Sequence, residues 1–348
     1  MQIDQPQSRT IPAAQAPATT FRWLDWALAI GGLWLLAGLH LDGWAHHRIE
    51  LESFFTPWHA VLYSGYAVSA AAVGLAWLDG LRKGRSWRDA LPRAYRTSLL
   101  GAVLFMLGGG ADMTWHTLFG IEQSLEALLS PPHLFLAVGG TLLITGPLRA
   151  GLYSPGQRPT VSLPAVLSLI SMVAMISFFT VYANPWIEAS VPSGHTIFGF
   201  LPGFSLYGSN KAYLLAGILL QTLVLMGAVF LLVRRFNLPF GMLTLLFTLP
   251  VAMGAAMHEN WGIISLALLG GLSADLLVRA LRPGLSDSGT RLFAFLSPAI
   301  LYLLYFGAFK LTGQLGGWSF ELWGGAVLLA GITGWLLSYA FFAPEGEL

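Results

Sequence analysis

The stretch HLDGWAHHRIELESFFTPWHAVLYSGY, residues 40–66, separates two long apolar segments of the chain. It holds four of the eight histidines, together with three acidic residues. The apolar segments on either side have roughly the 20 residues that an α-helix needs to cross the hydrocarbon core of a bilayer. The stretch therefore predicts a polar turn between two transmembrane helices.

The composition of the whole chain is that of a protein embedded in lipid. Of its 348 residues, 55% are hydrophobic and only 10% are charged, whereas soluble domains carry roughly 25% charged residues. Apolar segments of spanning length recur along the chain, at 23–45, 57–80, 97–118, 132–150, 161–183, 212–234, 239–257, 261–281, 291–312 and 321–343. The predicted fold class is an all-α polytopic membrane protein with about ten transmembrane helices.

These helices are expected to form a single transmembrane domain over residues 22–343. The first 21 residues are polar and rich in Pro, Gln, Ala and Thr, without the basic-then-apolar order of a signal peptide. We interpret 1–21 as a disordered cytoplasmic tail and 344–348 as a second, short cytoplasmic tail. Cysteine is absent, which excludes disulfides, thiolate metal sites and cysteine nucleophiles.

The basic residues predict the orientation in the membrane. Under the ten-helix reading, 15 of the 18 basic residues fall on one side, six of them in the loop 82–96. Only Arg48, Lys211 and Lys310 fall on the other side. The positive-inside rule makes the crowded side cytoplasmic, with both termini inside (N-in/C-in). All eight histidines then lie toward the outer face, which suggests a bacterial inner (plasma) membrane with a polar site facing the periplasm or exterior.

A direct repeat relates the hairpin 23–80 to the hairpin 97–150. The first hairpin contains, in order, Asp42, His46, Glu52, Thr56, Pro57 and His59. The second contains Asp112, His116, Glu126, Ser130, Pro131 and His133, with the same local spacings and four extra residues in the turn. Both hairpins cross the membrane in the same sense, so the two motifs are predicted at the same depth.

The spacing within each motif has a direct physical meaning. An Asp and a His four residues apart lie on one face of a helix, as do Asp42 and His46. Thr56 or Ser130 is a favourable N-cap, and proline is well tolerated at the next position. The second histidine then lies in the first turn, where the positive helix end keeps its imidazole neutral, the form that binds metals. Each hairpin is therefore predicted to present one Asp and two His at one point.

These patterns define the candidate site residues. The candidate metal ligands are Asp42, His46, His59, Asp112, His116, His133, His195 and His258. The candidate catalytic bases, or partners of the ligand imidazoles, are Glu52, Glu126 and Glu259. His195 comes from a partial echo of the motif, and His258 and Glu259 from the short turn after the seventh helix. Proton-relay or ion-pair use of these groups, or structural hydrogen bonding between the hairpins, stays open.

A transition metal is the expected cofactor, because imidazole with carboxylate suits copper(II), iron, zinc or manganese. The spacing Asp42-x3-His46-x12-His59 resembles the metal motif in the C subunit of the particulate methane and ammonia monooxygenase family. This resemblance implies these three residues as ligands, oxidation of a small or lipophilic substrate, and partner subunits in the membrane. It ranks copper first, ahead of iron or zinc, and leaves one or two metal ions open.

Two other classes of protein fit the same residues. One is a zinc-dependent intramembrane hydrolase, similar in type to the seven-helix ceramidase and adiponectin-receptor group. The other is a non-enzymatic metal or proton transporter, against which the scarcity of ionisable residues in the middle of most helices counts. Membrane lipid is an expected partner in each case. The sequence contains no phosphate loop and no nucleic-acid signature, so nucleic acid is not expected as a partner.

Overall fold

A computed structural model describes residues 22–46, 48–49, 55–120, 124–156, 158–187 and 209–342. Within these ranges the chain forms helices and no β-strand. The first hairpins comprise α1 (Arg22–His46), α2 (Pro57–Arg82), α3 (Arg93–Phe119), α4 (Ser124–Leu129), α5 (Pro131–Ile144) and α6 (Gly146–Leu152). The remainder comprises α7 (Leu163–Phe179), a 3₁₀ turn (Val181–Ala183), α8 (Ser209–Arg235), α9 (Met242–His258), α10 (Gly262–Leu281), α11 (Asp287–Leu311) and α12 (Phe320–Phe341).

Many of these helices are long and apolar enough to cross a membrane. Seven helices meet this description individually, and α5 with α6 meets it as a pair bent by 48°. The helices α7 and α9 are equally apolar but have 17 residues each, about 26 Å at 1.5 Å per residue. The all-helical, membrane-spanning class is therefore confirmed for the described residues. The number of ten spans and the orientation stay predictions.

The bend between α5 and α6 differs from the single helix that the sequence predicts over 132–150. Pro147, in the first turn of α6, has no N–H to donate to a carbonyl one turn earlier. The guanidinium of Arg149 enters the opened turn and donates to the carbonyl oxygen of Leu142 at 2.9 Å. It also donates to the carbonyl oxygen of Ala94 in α3 at 2.8 Å, which ties the bend to the neighbouring helix.

Within each hairpin, a glycine lets the two helices approach closely. A Cβ atom placed on Gly65 of α2 would lie 2.5 Å from the backbone nitrogen of Leu35 in α1. A Cβ atom placed on Gly139 of α5 would likewise lie 2.5 Å from the backbone nitrogen of Phe105 in α3. Real side chains do not fit such a space, so both contacts require glycine.

These two contacts occupy equivalent positions of the two motifs. Gly65 and Gly139 each lie six residues after the second histidine of their motif. Their partners, Leu35 and Phe105, each lie seven residues before the aspartate. The two hairpins therefore pack through the same positions, which is the packing that a direct repeat would produce.

In the second half of the chain, Asp275 of α10 caps the start of α9. Its carboxylate accepts hydrogen bonds from the backbone N–H groups of Gly241 at 3.0 Å and Thr244 at 2.9 Å. It also accepts one from the Thr244 hydroxyl at 2.6 Å. The Arg279 guanidinium, one turn further along α10, lies over the Phe240 ring, 4.4 Å from its centroid. The N–H groups of a helix start have no partner within their own helix, so they attract a buried carboxylate.

Candidate metal centre

The first triad joins the end of α1 to the start of α2. The Asp42 carboxylate lies 3.7 Å from Nε2 of His46 and 3.3 Å from Nε2 of His59. One ligand atom from each residue lies within 4.8 Å of the other two. The Thr56 hydroxyl accepts a hydrogen bond from the His59 backbone N–H at 3.2 Å, so the predicted N-cap is confirmed. This cap fixes the first turn of α2 and with it the position of the His59 ring.

The second triad repeats this arrangement between α3 and α5. Oδ1 of Asp112 lies 3.3 Å from Nε2 of His116 and 3.0 Å from Nε2 of His133. Ser130 differs from Thr56, because its side chain makes no capping hydrogen bond. Its hydroxyl lies 3.0 Å from Nδ1 of His133 instead. Ser130 is the N-cap residue of α5, as predicted, but its hydroxyl contacts a candidate ligand ring and not a backbone N–H.

The separations between these atoms fit a shared metal ion. Two ligand atoms, each about 2.0–2.1 Å from a tetrahedral metal, lie about 3.3 Å apart. The separations of 3.0–3.7 Å bracket this value. Oδ1 of Asp42 and Oδ1 of Asp112 are both buried and have no hydrogen bond of standard geometry. A cation in each triad would satisfy the oxygen of its own aspartate.

The protonation of His116 is set by its other nitrogen. Nδ1 of His116 lies 3.2 Å from the carbonyl oxygen of Gly120. A carbonyl only accepts hydrogen bonds, so Nδ1 carries a proton, and when the ring is neutral Nε2 presents a lone pair to Asp112. Such a lone pair repels a carboxylate unless a metal ion or a further proton lies between them. Metal-bound histidines commonly donate their other N–H to a backbone carbonyl in this way.

The described residues form two separate groups of three ligands, not one group of six. The groups are nevertheless close, because His46 of the first interacts electrostatically with His116 and His133 of the second. They differ in burial: the Asp112 side chain is 3% exposed and the Asp42 side chain 13%. The second site is therefore the more enclosed.

The remaining predicted residues are not part of either triad. His258, at the end of α9, lies outside both groups and interacts electrostatically with the buried His40. Glu259 follows it in the left-handed conformation and pairs with Arg48 at 3.2 Å. His195, Glu52 and the side chain of Glu126 lie outside the described residues.

Sequence reasoning missed two residues that the structure places beside the triads. Gly120 orients His116 as described above. Tyr63 interacts electrostatically with both Asp42 and Asp112. It lies four residues after His59 on α2, so helical spacing alone could have placed it on the same face.

No protein-family model, no curated protein and no solved structure matches the chain. Its class is therefore defined by its own fold and site. It is a helical protein with helices that can cross a membrane, and it carries two Asp-His-His groups that could hold a metal ion.

Proposed function

We propose that the chain is an integral membrane metalloprotein that holds one transition-metal ion at each Asp-His-His triad. The orientation of His116 carries this proposal. Its Nδ1–H is committed to Gly120, while its Nε2 and the buried carboxylate of Asp112 face one another at 3.3 Å. A metal ion satisfies both lone pairs without protonating either group.

Each triad supplies three ligands and leaves further coordination positions for water, oxygen or substrate. Two histidines and one carboxylate on one side of a metal suit iron(II) oxygenases, and imidazole with carboxylate also suits copper(II) and zinc. We propose copper as the first candidate, in line with the resemblance of Asp42, His46 and His59 to the monooxygenase motif, then iron or zinc. A bound copper or iron ion would supply redox chemistry, so the proposed activity is oxidation of a small or lipophilic substrate.

We further propose that the two hairpins are copies of one unit and that both sites face the outer side of the membrane. The matched glycine contacts and the matched ligand separations support the repeat. The excess of basic residues on the opposite side supports the orientation. The sites would then exchange ions and small molecules with the periplasm or exterior.

Metal analysis of protein purified without chelator tests the proposal. We expect two equivalents of metal in the wild type and one in each of His59→Ala and His133→Ala, with the helical bundle still folded. Asp79→Asn, at an exposed acid paired with Lys83, is the matched control and should keep both equivalents. Copper or iron would support the oxidoreductase activity, whereas zinc would replace it with hydrolysis. Absence of metal uptake by the wild type, or full metal content in both histidine variants, would refute the metalloprotein.

A further inference from the structure

Tyr63 of α2 lies between the two triads. It follows His59 by one helical turn, and the two ring centroids are 6.3 Å apart. Its phenol group interacts electrostatically with the carboxylates of both Asp42 and Asp112. This tyrosine is therefore close enough to both aspartates to interact with them electrostatically.

A glycine in the neighbouring hairpin makes room for the phenol. A Cβ atom placed on Gly109 of α3 would lie 3.1 Å from the phenolic oxygen of Tyr63. Gly109 lies three residues before Asp112, on the same side of α3. The Tyr63 ring is also in edge contact with Phe105, at 6.1 Å between centroids. The phenol is thus held against α3 beside the second triad.

Tyr63 and Gly109 occupy positions at which the two hairpins have different residues. Position 63 lies four residues after the second histidine of its motif, where the other hairpin has Ala137. Position 109 lies three residues before its aspartate, where the other hairpin has Leu39. A tyrosine therefore occurs at this position in one hairpin alone and points to the glycine of the other. The contact between Tyr63 and Gly109 therefore joins the two hairpins and is not part of the packing that the hairpins have in common.

We propose that Tyr63 is a positioning residue shared by both metal sites. Its phenol would donate a hydrogen bond from the O–H to solvent at one metal site and accept one at the oxygen from solvent at the other. This inference rests on the proposed function, because it requires metal at both triads. It adds that the two sites share one hydrogen-bonding group and respond together to its loss.

Titration with Cu²⁺ in detergent, followed by paramagnetic resonance spectroscopy, tests this role. Tyr63→Phe should still bind two Cu²⁺ ions, with the affinity of both sites lowered about 10-fold, the effect of losing one hydrogen bond to a charged centre. Its spectrum should change at both sites. Tyr66→Phe is the matched control: it removes a phenol one turn further along α2, which donates to the Ala102 carbonyl instead, and should leave affinity and spectrum unchanged.

A second pair of variants moves the phenol without removing it. Gly109→Ala should push the Tyr63 oxygen away and reproduce the spectral change of Tyr63→Phe. Gly110→Ala is its control, because a Cβ atom there meets nothing within 4 Å. If Tyr63→Phe keeps the wild-type affinity and spectrum, or changes at one site only, Tyr63 is not shared by the two sites. The proposal of two metal sites would be unaffected by that result. Failure of the wild type to bind Cu²⁺ would instead refute the proposed function itself.

Discussion

Nδ1 of His116 lies 3.2 Å from the carbonyl oxygen of Gly120, and the Gly120 backbone N–H donates to the His116 carbonyl oxygen at 3.0 Å. One glycine therefore both ends α3 and selects the nitrogen that His116 presents to Asp112. Gly120 has a φ of 84° and a ψ of 176°, a backbone conformation that is essentially restricted to glycine. The end of the helix and the chemistry of the second site depend on the same backbone conformation.

We expect Gly120→Ala to weaken metal binding at the second triad alone. Alanine does not readily adopt a φ of 84° with a ψ of 176°, so the carbonyl moves away from His116 and the ring loses its fixed orientation. Loss of such a supporting contact typically lowers metal affinity by about 10–100-fold. Metal titration should show one weakened site and one unchanged site. The control is Gly74→Ala in α2, where an added Cβ meets nothing within 4 Å; equal affinities in both variants would contradict the prediction.

Asp112→Asn should remove one equivalent of bound metal. The amide keeps the shape of the side chain but loses the negative charge that balances a cation in this buried position. Asp42→Asn should remove the other equivalent, and the double variant should bind none. Inductively coupled plasma mass spectrometry on purified protein measures the stoichiometry, with Asp79→Asn as the exposed control. Two equivalents retained by Asp112→Asn would mean that this carboxylate is not a ligand.

The composition of each triad was predictable from the sequence because its geometry is local. A spacing of four places Asp42 beside His46 on one helix face, and a proline at the start of the next helix fixes where His59 lies. Both relationships depend on helix geometry alone. The sequence therefore identified the residues that the structure brings together in each group of three.

The contacts that surround the triads were not predictable, because they depend on which helices are neighbours. Tyr63 approaches Gly109 across two hairpins that are far apart in the sequence. Asp275 finds the start of α9 rather than the arginine four residues after it on its own helix. The bend at Pro147 is held by Arg149 through contacts to α3. Helix periodicity shows which residues share one face of a helix. It does not show which neighbouring helix packs against that face.

Gly139→Ala should destabilise the second hairpin. The added Cβ would lie 2.5 Å from the Phe105 backbone nitrogen, so α3 and α5 must move apart. Overpacking of this kind typically costs 1–3 kcal/mol, and it also separates Asp112 from His133. Thermal unfolding in detergent should show a lower midpoint, accompanied by weaker metal binding at the second site. Gly227→Ala in α8, where a Cβ meets nothing within 4 Å, should do neither.

Asp275→Ala should lower stability without changing metal content. The substitution leaves the buried N–H groups at the start of α9 without their acceptor, at a cost of about 1–3 kcal/mol for an unsatisfied group. This contact lies on α9 and α10, whereas the triads lie on α1, α2, α3 and α5. Asp287→Ala removes an exposed acid from the first turn of α11 and should cost at most about 1 kcal/mol. Loss of metal from Asp275→Ala at permissive temperature would show that the two halves are coupled.

The absence of cysteine allows the predicted orientation to be tested with single cysteine substitutions. Leu285 precedes α11 and Leu311 is its last residue, and both side chains are largely exposed. If the basic loops are cytoplasmic, Leu311→Cys should react with a membrane-impermeant maleimide on intact cells, and Leu285→Cys should react only after the membrane is opened.

The same labelling locates the two ends of the first hairpin. Phe55, in the turn beside the first triad, and Trp87, in the basic loop 82–96, are both largely exposed. Phe55→Cys, like Leu311→Cys, should react with the maleimide on intact cells. Trp87→Cys, like Leu285→Cys, should react only after the membrane is opened. The reverse pattern would place the triads on the cytoplasmic side. Labelling of Phe55→Cys and Trp87→Cys from the same side would mean that α2 does not cross the membrane, which would remove the basis for placing both metal sites at one outer face.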